Sequence, residues 1–243
     1  MEIKRFFTEP QNIQGETVAI EGDEFFHITK VLRLKKGFKI VVSVGDGKDY
    51  FAVIQGIEEG RLTAKIESVT QNETELPYAL TMLQAIPAKD KIEIIVQKAA
   101  EMGVRTFIPF FSEHVNEKEV NLIRLNKIAR EAAKQCGASR VMEILPPVGF
   151  CDAVRIAGES SVAVMAYEYE KSTRLSSVTK NVPRGENFSV AFMIGAEGGF
   201  SQSESEYASA HGITPVTLGK RILRCETAGV AVAAILCERL AGD

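Results

Sequence analysis

Two segments near the C-terminal end carry residue types suited to holding a small molecule: Ile194-Gly195-Ala196-Glu197-Gly198-Gly199-Phe200, and Leu218-Gly219-Lys220-Arg221-Ile222-Leu223-Arg224-Cys225-Glu226-Thr227-Ala228. Glycines let a planar ligand reach bare backbone, whose N–H and C=O groups can read an adenine edge. Lys220, Arg221 and Arg224 add cations, and guanidinium groups suit phosphate contacts or a developing oxyanion. On a solvated surface the same arginines would do nothing. Glu197 either orders its loop or offsets the dipole of the helix that follows, and Glu226 falls in the first turn of the last helix, where a carboxylate commonly offsets the dipole.

The elements that must position these loops follow from the hydrophobic pattern. Residues 190–194 and 214–218 are apolar runs that read as buried strands, and each glycine loop then leads into a helix. Ser201-Gln202-Ser203-Glu204 is a capping box for the first of these helices. Two such loops at strand ends are how an α/β sheet builds a pocket. Strands at 79–86, 106–110, 161–166, 190–194 and 214–218 alternate with amphipathic helices at 89–102 and 120–136, which predicts a mainly parallel sheet with helices on both faces. Residues 167–188 are polar and hold Pro183 and Gly185, so a mobile loop is expected there.

The first 70 or so residues read as mostly β. Segments 38–44 and 50–57 flank the hairpin signal Gly45-Asp46-Gly47-Lys48. Glu58-Glu59-Gly60-Arg61 then turns the chain into 62–69, and one short helix is expected from the cap Asp23 to Gly37. Residues 70–77, polar and ending in Pro77, read as a linker. The expected domains are 1–72 and 73–243.

The chain has 243 residues and a formal net charge of -3, which argues against a generally basic nucleic-acid coat but leaves room for a local patch. Residues 25–45 hold Lys30, Arg33, Lys35, Lys36 and Lys39 and no acid. With Lys4 and Arg5 they could form a phosphate-tracking surface on a small β-barrel. Phe6, Phe7, Phe25 and Phe26 read as core rather than as base-stacking platforms. Along 120–136, Lys127, Arg130 and Lys134 form a basic stripe opposite Leu125, Ala129, Ala132 and Cys136; alone, it is an ordinary solvated face.

No P-loop, G-x-G-x-x-G or G-x-S-x-G pattern is present, so the common nucleotide and hydrolase signatures are disfavoured. Cys136, Cys151, Cys225 and Cys237 lack CxxC spacing, and His27, His114 and His211 lack metal-type pairing. A reduced, cytoplasmic protein without metal is expected. Residues 1–7 carry Glu2, Lys4 and Arg5 and no secretory core. The longest apolar run, 228–237, is about half of the ~20 residues a membrane helix needs. It reads as a helix buried on nearly all sides, in a core or a subunit interface, with no membrane partner.

The two C-terminal motifs together resemble the ribosomal RNA small-subunit methyltransferase E family, uridine-N3 methyltransferases of the SPOUT superfamily. The resemblance extends to Arg5-Phe6-Phe7, to His27 with Val31-Leu32-Arg33, to Gln97-Lys98-Ala99-Ala100-Glu101-Met102-Gly103-Val104 and to Glu131-Ala132-Ala133-Lys134-Gln135-Cys136. It implies a PUA-like β-barrel followed by an α/β domain tied in a trefoil knot. It also implies a homodimer, and S-adenosylmethionine held by three loops. The matching positions are the end of a strand at Met165 to Tyr167, with Met165 singled out, then Gly195, Glu197, Gly198 and Gly199, then Leu218, Gly219, Arg221, Ile222 and Leu223. Arg5, Lys30, Arg33, Lys35, Lys36, Arg130 and Lys134 are the expected RNA contacts. Ala196 stands where the family usually has proline, and His114 where arginine is common.

The implied reaction is methylation of N3 of a uridine in 16S ribosomal RNA of the small subunit. A uridine N3–H is a poor nucleophile while protonated, so the reaction needs proton removal and stabilisation of the uracil anion. Arg224 is the expected stabiliser. Glu226 and Glu197 are candidates for the proton acceptor, and water or an RNA group would serve equally. An RNA-binding factor without chemistry, or a metabolic enzyme binding a phosphorylated ligand, are the rival readings.

Overall fold

The computed structural model describes residues 3–115, 119–180, 182 and 187–241. The chain divides into two compact units, Met1–Glu75 with Ala133–Val141 and Leu76–Ala132 with Met142–Asp243.

The first unit is built on β1 (Lys4–Phe7), β2 (Ile13–Gln14), β3 (Thr17–Glu21), β4 (Lys39–Ser43), β5 (Lys48–Glu58) and β6 (Arg61–Gln71). They form one sheet in the order β1-β4-β5-β6-β3-β2, antiparallel apart from the β1–β4 pair. The expected hairpin joins β4 to β5, where Asp46 accepts from the Lys48 N–H (3.1 Å) and the Tyr50 hydroxyl (2.7 Å). Register shifts at Phe51/Ala52 and Ile54/Gly56 bend the long β5–β6 ribbon. Alternating Val18 and Ile20, Ile40 and Val42, Ala52 and Ile54 fill a core closed by Phe6 and Ile28.

Three expectations change here. Helix α1 (Gly22–Phe26), capped by Glu21 rather than Asp23, passes into one π-helical turn over His27–Val31 and stops well before Gly37. β-Branched Ile28, Thr29 and Val31 resist a regular helix, and Arg33 leads the chain away at φ +54°. Phe26 is not core but 59% exposed. The polar stretch after β6 is not a loose linker either. Asn72 donates to Asp49 and to the Gly137 carbonyl, both at 2.9 Å, and Glu75 accepts from the N–H groups of Ser139 (2.9 Å) and Arg140 (3.0 Å). Its polarity serves these bonds.

The second unit holds β7 (Ala79–Ala85), β8 (Thr106–Phe111), β9 (Glu143–Ile144), β10 (Val148–Gly149), β11 (Val162–Ala166), β12 (Ser189–Ile194) and β13 (Thr214–Val216). All pairings are parallel, in the order β10-β8-β7-β12-β11-β13, with β9 also on β8. The remaining helices of the chain are α2 (Lys89–Glu101), α3 (Leu122–Cys136), α4 (Phe150–Gly158), α5 (Leu175–Val178), α6 (Gln202–Ala210) and α7 (Cys225–Leu240). Strands β9 and β10, two residues each, are too short to show a period, and α4 also escapes the sequence pattern.

Alternation along β7 sends Leu83 and Ala85 into a core with Ala153, Val154 and Ala157 of α4, while Met82 packs against Gly229 of α7. Helices therefore cover both faces. The inward face of α7 is buried through Ala228, Val232, Ala233, Leu236 and Leu240, whereas Ala234 is exposed and Val230, Ala231 and Ile235 are half-buried. Within one chain this helix is packed on one side only. The stretch expected to be a mobile loop is pinned over 167–180. Glu170 accepts from the N–H groups of Ser172 (2.7 Å) and Thr173 (2.8 Å), and α5 follows. Residues 181 and 183–186, with Pro183 and Gly185, lie outside the described residues. No helix among the described residues is long and apolar enough to cross a membrane.

Candidate active site

Strands β12, β11 and β13 are neighbours, and their carboxyl ends open into one cavity of about 400 Å³. That volume lies in the range of about 300–1,000 Å³ usual for small-molecule sites, at the sheet edge where α/β proteins place them. Its walls are the loops 167–171, 195–200 and 217–224, with Lys91 and the first turn of α7.

The loop after β12 is fixed from three sides. The Gly199 N–H donates to the Ala196 carbonyl at 3.1 Å, folding the loop on itself. Beneath it, Gln84 is fully buried in the mostly apolar strand β7 and donates to the Gly195 carbonyl at 3.1 Å. Glu197 reaches sideways and accepts from the Ala88 N–H (3.1 Å) and from Lys91 (2.7 Å). It thus orders its loop against the N-terminus of α2, and the dipole it offsets is that of α2, not of the helix that follows. Burial alone would raise the Glu197 carboxyl; Lys91 and the Ala88 N–H outweigh it and hold the group below its ordinary range. Gly198 has no room for a side chain, because a Cβ there would stand 2.7 Å from the Cβ of His114. The capping box forms as expected, Glu204 accepting from the Ser201 N–H at 3.0 Å.

The loop after β13 is built differently. The Thr217 hydroxyl accepts from the Gly219 N–H at 3.2 Å, and Gly219 sits at φ +118° with nothing within 4 Å of a notional Cβ. Here glycine is required by conformation, not by crowding. Past it, the N–H groups of residues 220–223 make no main-chain hydrogen bond among the described residues. They leave polar backbone for a ligand to satisfy. Arg224 is the N-cap of α7, and Glu226 lies in its first turn. The Glu226 carboxyl is held low by its own helix N–H, then by the Cys225 thiol, Lys91 and Arg224. The thiol donates to Glu226 at 3.2 Å, and burial together with that carboxylate pushes it up to about 12.

Of the expected cofactor positions, Gly195, Glu197, Gly199, Leu218, Gly219, Arg221, Ile222 and Leu223 line the cavity, as do Arg224 and Glu226. Met165 does not: it is fully buried in the core with Leu83 and Met193, because alternation along β11 turns it inward and leaves Ala166 and Tyr167 at the wall. Gly198 stands behind the wall, against His114. Sequence reasoning missed Lys91, Glu168, Tyr169 and Lys171, which line the cavity together with Tyr167 of the expected first loop, and Gln84 beneath it. Only Gln84 left a signal, a lone amide inside a mostly apolar strand.

The expected RNA contacts divide. Lys30, Arg33, Lys35 and Lys36 are exposed. Arg5 is not presented to a phosphate; it is bonded to Ser43 (2.6 Å) and paired with Asp49, both side chains of the pair 11% exposed. Lys134 is likewise turned inward, paired with buried Glu24 at 2.9 Å. Arg130, on α3, is half-buried.

Residues 74–237 match the RNA methyltransferase domain family, and residues 20–67 match the RNA methyltransferase PUA domain family. The ribosomal RNA small subunit methyltransferase E of Bacillus subtilis is 29% identical, over 99% of this chain and 100% of that protein. The protein of the same name from Synechocystis is 30% identical, over 92% of this chain and 74% of that protein. A crystal structure of ribosomal RNA small subunit methyltransferase E from Neisseria gonorrhoeae bound to S-adenosylmethionine aligns with a TM-score of 0.84 at 30% identity, covering 98% of each chain. An α/β domain with a parallel sheet, a PUA-like domain before it and a three-loop cavity thus agree with the matches: the chain belongs to the ribosomal RNA small subunit methyltransferase E family.

Proposed function

We propose that the protein methylates N3 of a uridine in 16S ribosomal RNA of the small subunit, using S-adenosylmethionine. The observation that carries this reading is the cavity formed by three loops at adjacent strand ends, in a chain that aligns along its length with a relative solved with that cofactor. The cavity suits the cofactor on its own evidence. N–H groups at 220–223, without a main-chain partner among the described residues, and open space beside Gly219 offer bare backbone to a purine edge, and Glu168 offers a carboxylate to a cation. Gly195, Gly199, Leu218, Gly219, Arg221, Ile222 and Leu223 would hold it. When bound, S-adenosylmethionine supplies an electrophilic methyl group.

The protein's own residues must manage the uracil. N3 has to lose its proton, and the negative charge then spreads over O2 and O4. Arg224 would stabilise that charge; its exposure at the N-cap of α7, without an ion-pair partner among the described residues, supports this role. Glu197 is already committed to Lys91 and Ala88. Among the described residues Glu226 has only the Cys225 thiol as side-chain hydrogen-bond donor, so it is the carboxylate we assign as proton acceptor. Its lowered pKa keeps it ionised at neutral pH but makes it a weak base, so the transfer relies on anion stabilisation by Arg224.

In this reading residues 1–72 bind RNA through Lys30, Arg33, Lys35 and Lys36, with Arg130 on α3 as a further contact, and 73–243 form the knotted catalytic domain. The protein acts in the cytoplasm as a homodimer. The outward side of α7, with Ala234 exposed and Ile235 half-buried, and Ile94 exposed on the neighbouring α2, would supply the dimer contact. The test is mass-spectrometric mapping of methylated uridine in small-subunit ribosomal RNA incubated with protein and cofactor. A single new 3-methyluridine is expected; cofactor binding without RNA methylation would overturn the reading.

A further inference from the structure

We propose that Tyr169 is the platform on which the base to be methylated stacks after it leaves its own strand. The inference rests on the function proposed above and names a residue that neither sequence pattern nor family motif singles out. The exposed aromatic side chains among the described residues are Phe26, Phe38, Phe111, Tyr169 and Tyr207, and of these Tyr169 alone lines the cavity. It is 66% exposed, an unusual state for an aromatic ring at the rim of a pocket.

Its position is fixed although its ring is bare. The rings of Tyr167 and Tyr169 form a T-shaped pair, with centroids 5.5 Å apart and planes at 64°. In the chain on either side of it, Lys171 donates to the Glu168 carbonyl at 2.9 Å, and the Glu170 carboxylate holds the next turn through Ser172 and Thr173. With the residue 66% exposed, a single ring contact of this kind leaves surface available for stacking.

The surroundings say what would stack there. Outside the Lys91–Glu197 pair, Lys171, Lys220, Arg221 and Arg224 line the same cavity against the carboxylates of Glu168 and Glu226, so the rim carries an excess of positive charge. An aromatic ring beside excess positive charge fits an unstacked nucleotide, whose base lies on the ring while its phosphate meets Lys220, leaving Arg221 to the cofactor and Arg224 to the uracil. N3 lies on the pairing edge of uracil and is inaccessible within a duplex, so the base must be extruded or already unpaired, and an extruded base loses its stacking neighbours. Tyr169 would replace one of them. Because every base has a π-face, this contact orients the base and leaves its identity to other groups.

The test uses the full-length protein with a transcript of small-subunit ribosomal RNA. Tyr169→Ala is expected to lower kcat/KM for RNA by about tenfold to a hundredfold, the effect of losing one base–aromatic stack. Tyr169→Phe should retain the wild-type value and Tyr169→Leu should not, a pattern that packing alone would not produce. Cofactor affinity by calorimetry and oligomeric state by light scattering should be unchanged in all three. Wild-type kcat/KM in Tyr169→Ala would overturn the proposal. So would an equal loss of cofactor affinity, which would place the ring on the cofactor, or dissociation into monomers, which would place it between copies. If the wild-type protein methylates no ribosomal RNA, the proposed function fails and this inference with it; if only the Tyr169 series is flat, the function stands.

Discussion

In the first unit, Lys30, Arg33, Lys35 and Lys36 fall within a single run of residues 30–36, all exposed and none with an ion-pair partner among the described residues. In the second, the cavity gathers groups as distant in sequence as Lys91 and Glu226, and several are bonded to one another: Lys91 to Glu197, Cys225 to Glu226. A solvated run of cations acts through screened and roughly additive terms. A converged set depends on each neighbour, so single changes there should cost more. Substitutions in the two regions can break or sharpen this contrast.

The largest effect is expected at Arg224. If its guanidinium meets charge that develops only as the uracil loses its proton, Arg224→Ala should lower single-turnover methylation by about a hundred- to a thousandfold at saturating RNA and cofactor. RNA and cofactor binding should stay near wild type. A rate equal to wild type would remove Arg224 from the reaction. Gly198 comes next. Its backbone suits any residue, so the whole cost of Gly198→Ala is the 2.7 Å approach to the His114 Cβ. Cofactor affinity should drop about tenfold to a hundredfold through displacement of the loop, and His114→Gly in the same chain should restore much of it. Failure of that rescue would show that His114 does not set the position of the loop.

Gly219 makes the contrast within one site. Nothing crowds it, so Gly219→Ala should cost only the strain of its φ of +118°, and His114→Gly should not help. The sequence showed that both loops need glycine, since each lies between an apolar run and a helix start. It could not show that one glycine answers to a neighbour and the other to its own backbone, because His114 is distant in the chain. The same limit explains Arg5 and Lys134. Both belong to basic stretches on the page, yet each is consumed by an acid, Asp49 or Glu24, that only the folded chain brings near. The parallel sheet and the hairpin were legible because their signals are local and periodic. Of the first expected loop, Met165 to Tyr167, Ala166 and Tyr167 line the cavity while Met165 faces the core, because one residue reverses the face of a strand.

In the first unit the expected changes are smaller and graded. Charge reversal at Arg33, Lys35 and Lys36 should weaken RNA binding and flatten its dependence on salt, the slope of log K against log salt falling by about 2 if each residue contributes roughly 0.7. Cofactor affinity should not move. Normal RNA binding at every salt concentration would remove this run from the RNA surface. Arg33 adds a finer test, as the one non-glycine residue at positive φ among those described. Arg33→Gly removes a strain of about 1 kcal/mol along with the charge, so melting temperature should rise while RNA affinity falls. A fall in both would mean that the side chain serves the fold.

The smallest effect is expected at Cys225, and it reports whether the cavity floor is as closed as the geometry indicates. Burial and the Glu226 carboxylate raise this thiol to about 12, so the neutral form is the folded one. For a group raised on folding, the stabilisation is complete below its unfolded value, about 8.5 for a free thiol. It is lost as pH rises through the folded value. Between pH 6 and 8 (roughly the assay range) the Cys225 contribution to stability should therefore be flat, and it should decline only in alkaline solution. At pH 8 iodoacetamide should label exposed Cys151 readily and leave Cys225 unmodified, since only the thiolate reacts. Mass spectrometry of the two peptides decides the matter. Equal labelling would mean that the first turn of α7 opens to solvent, and then Glu226 loses the thiol that the geometry gives it as a partner.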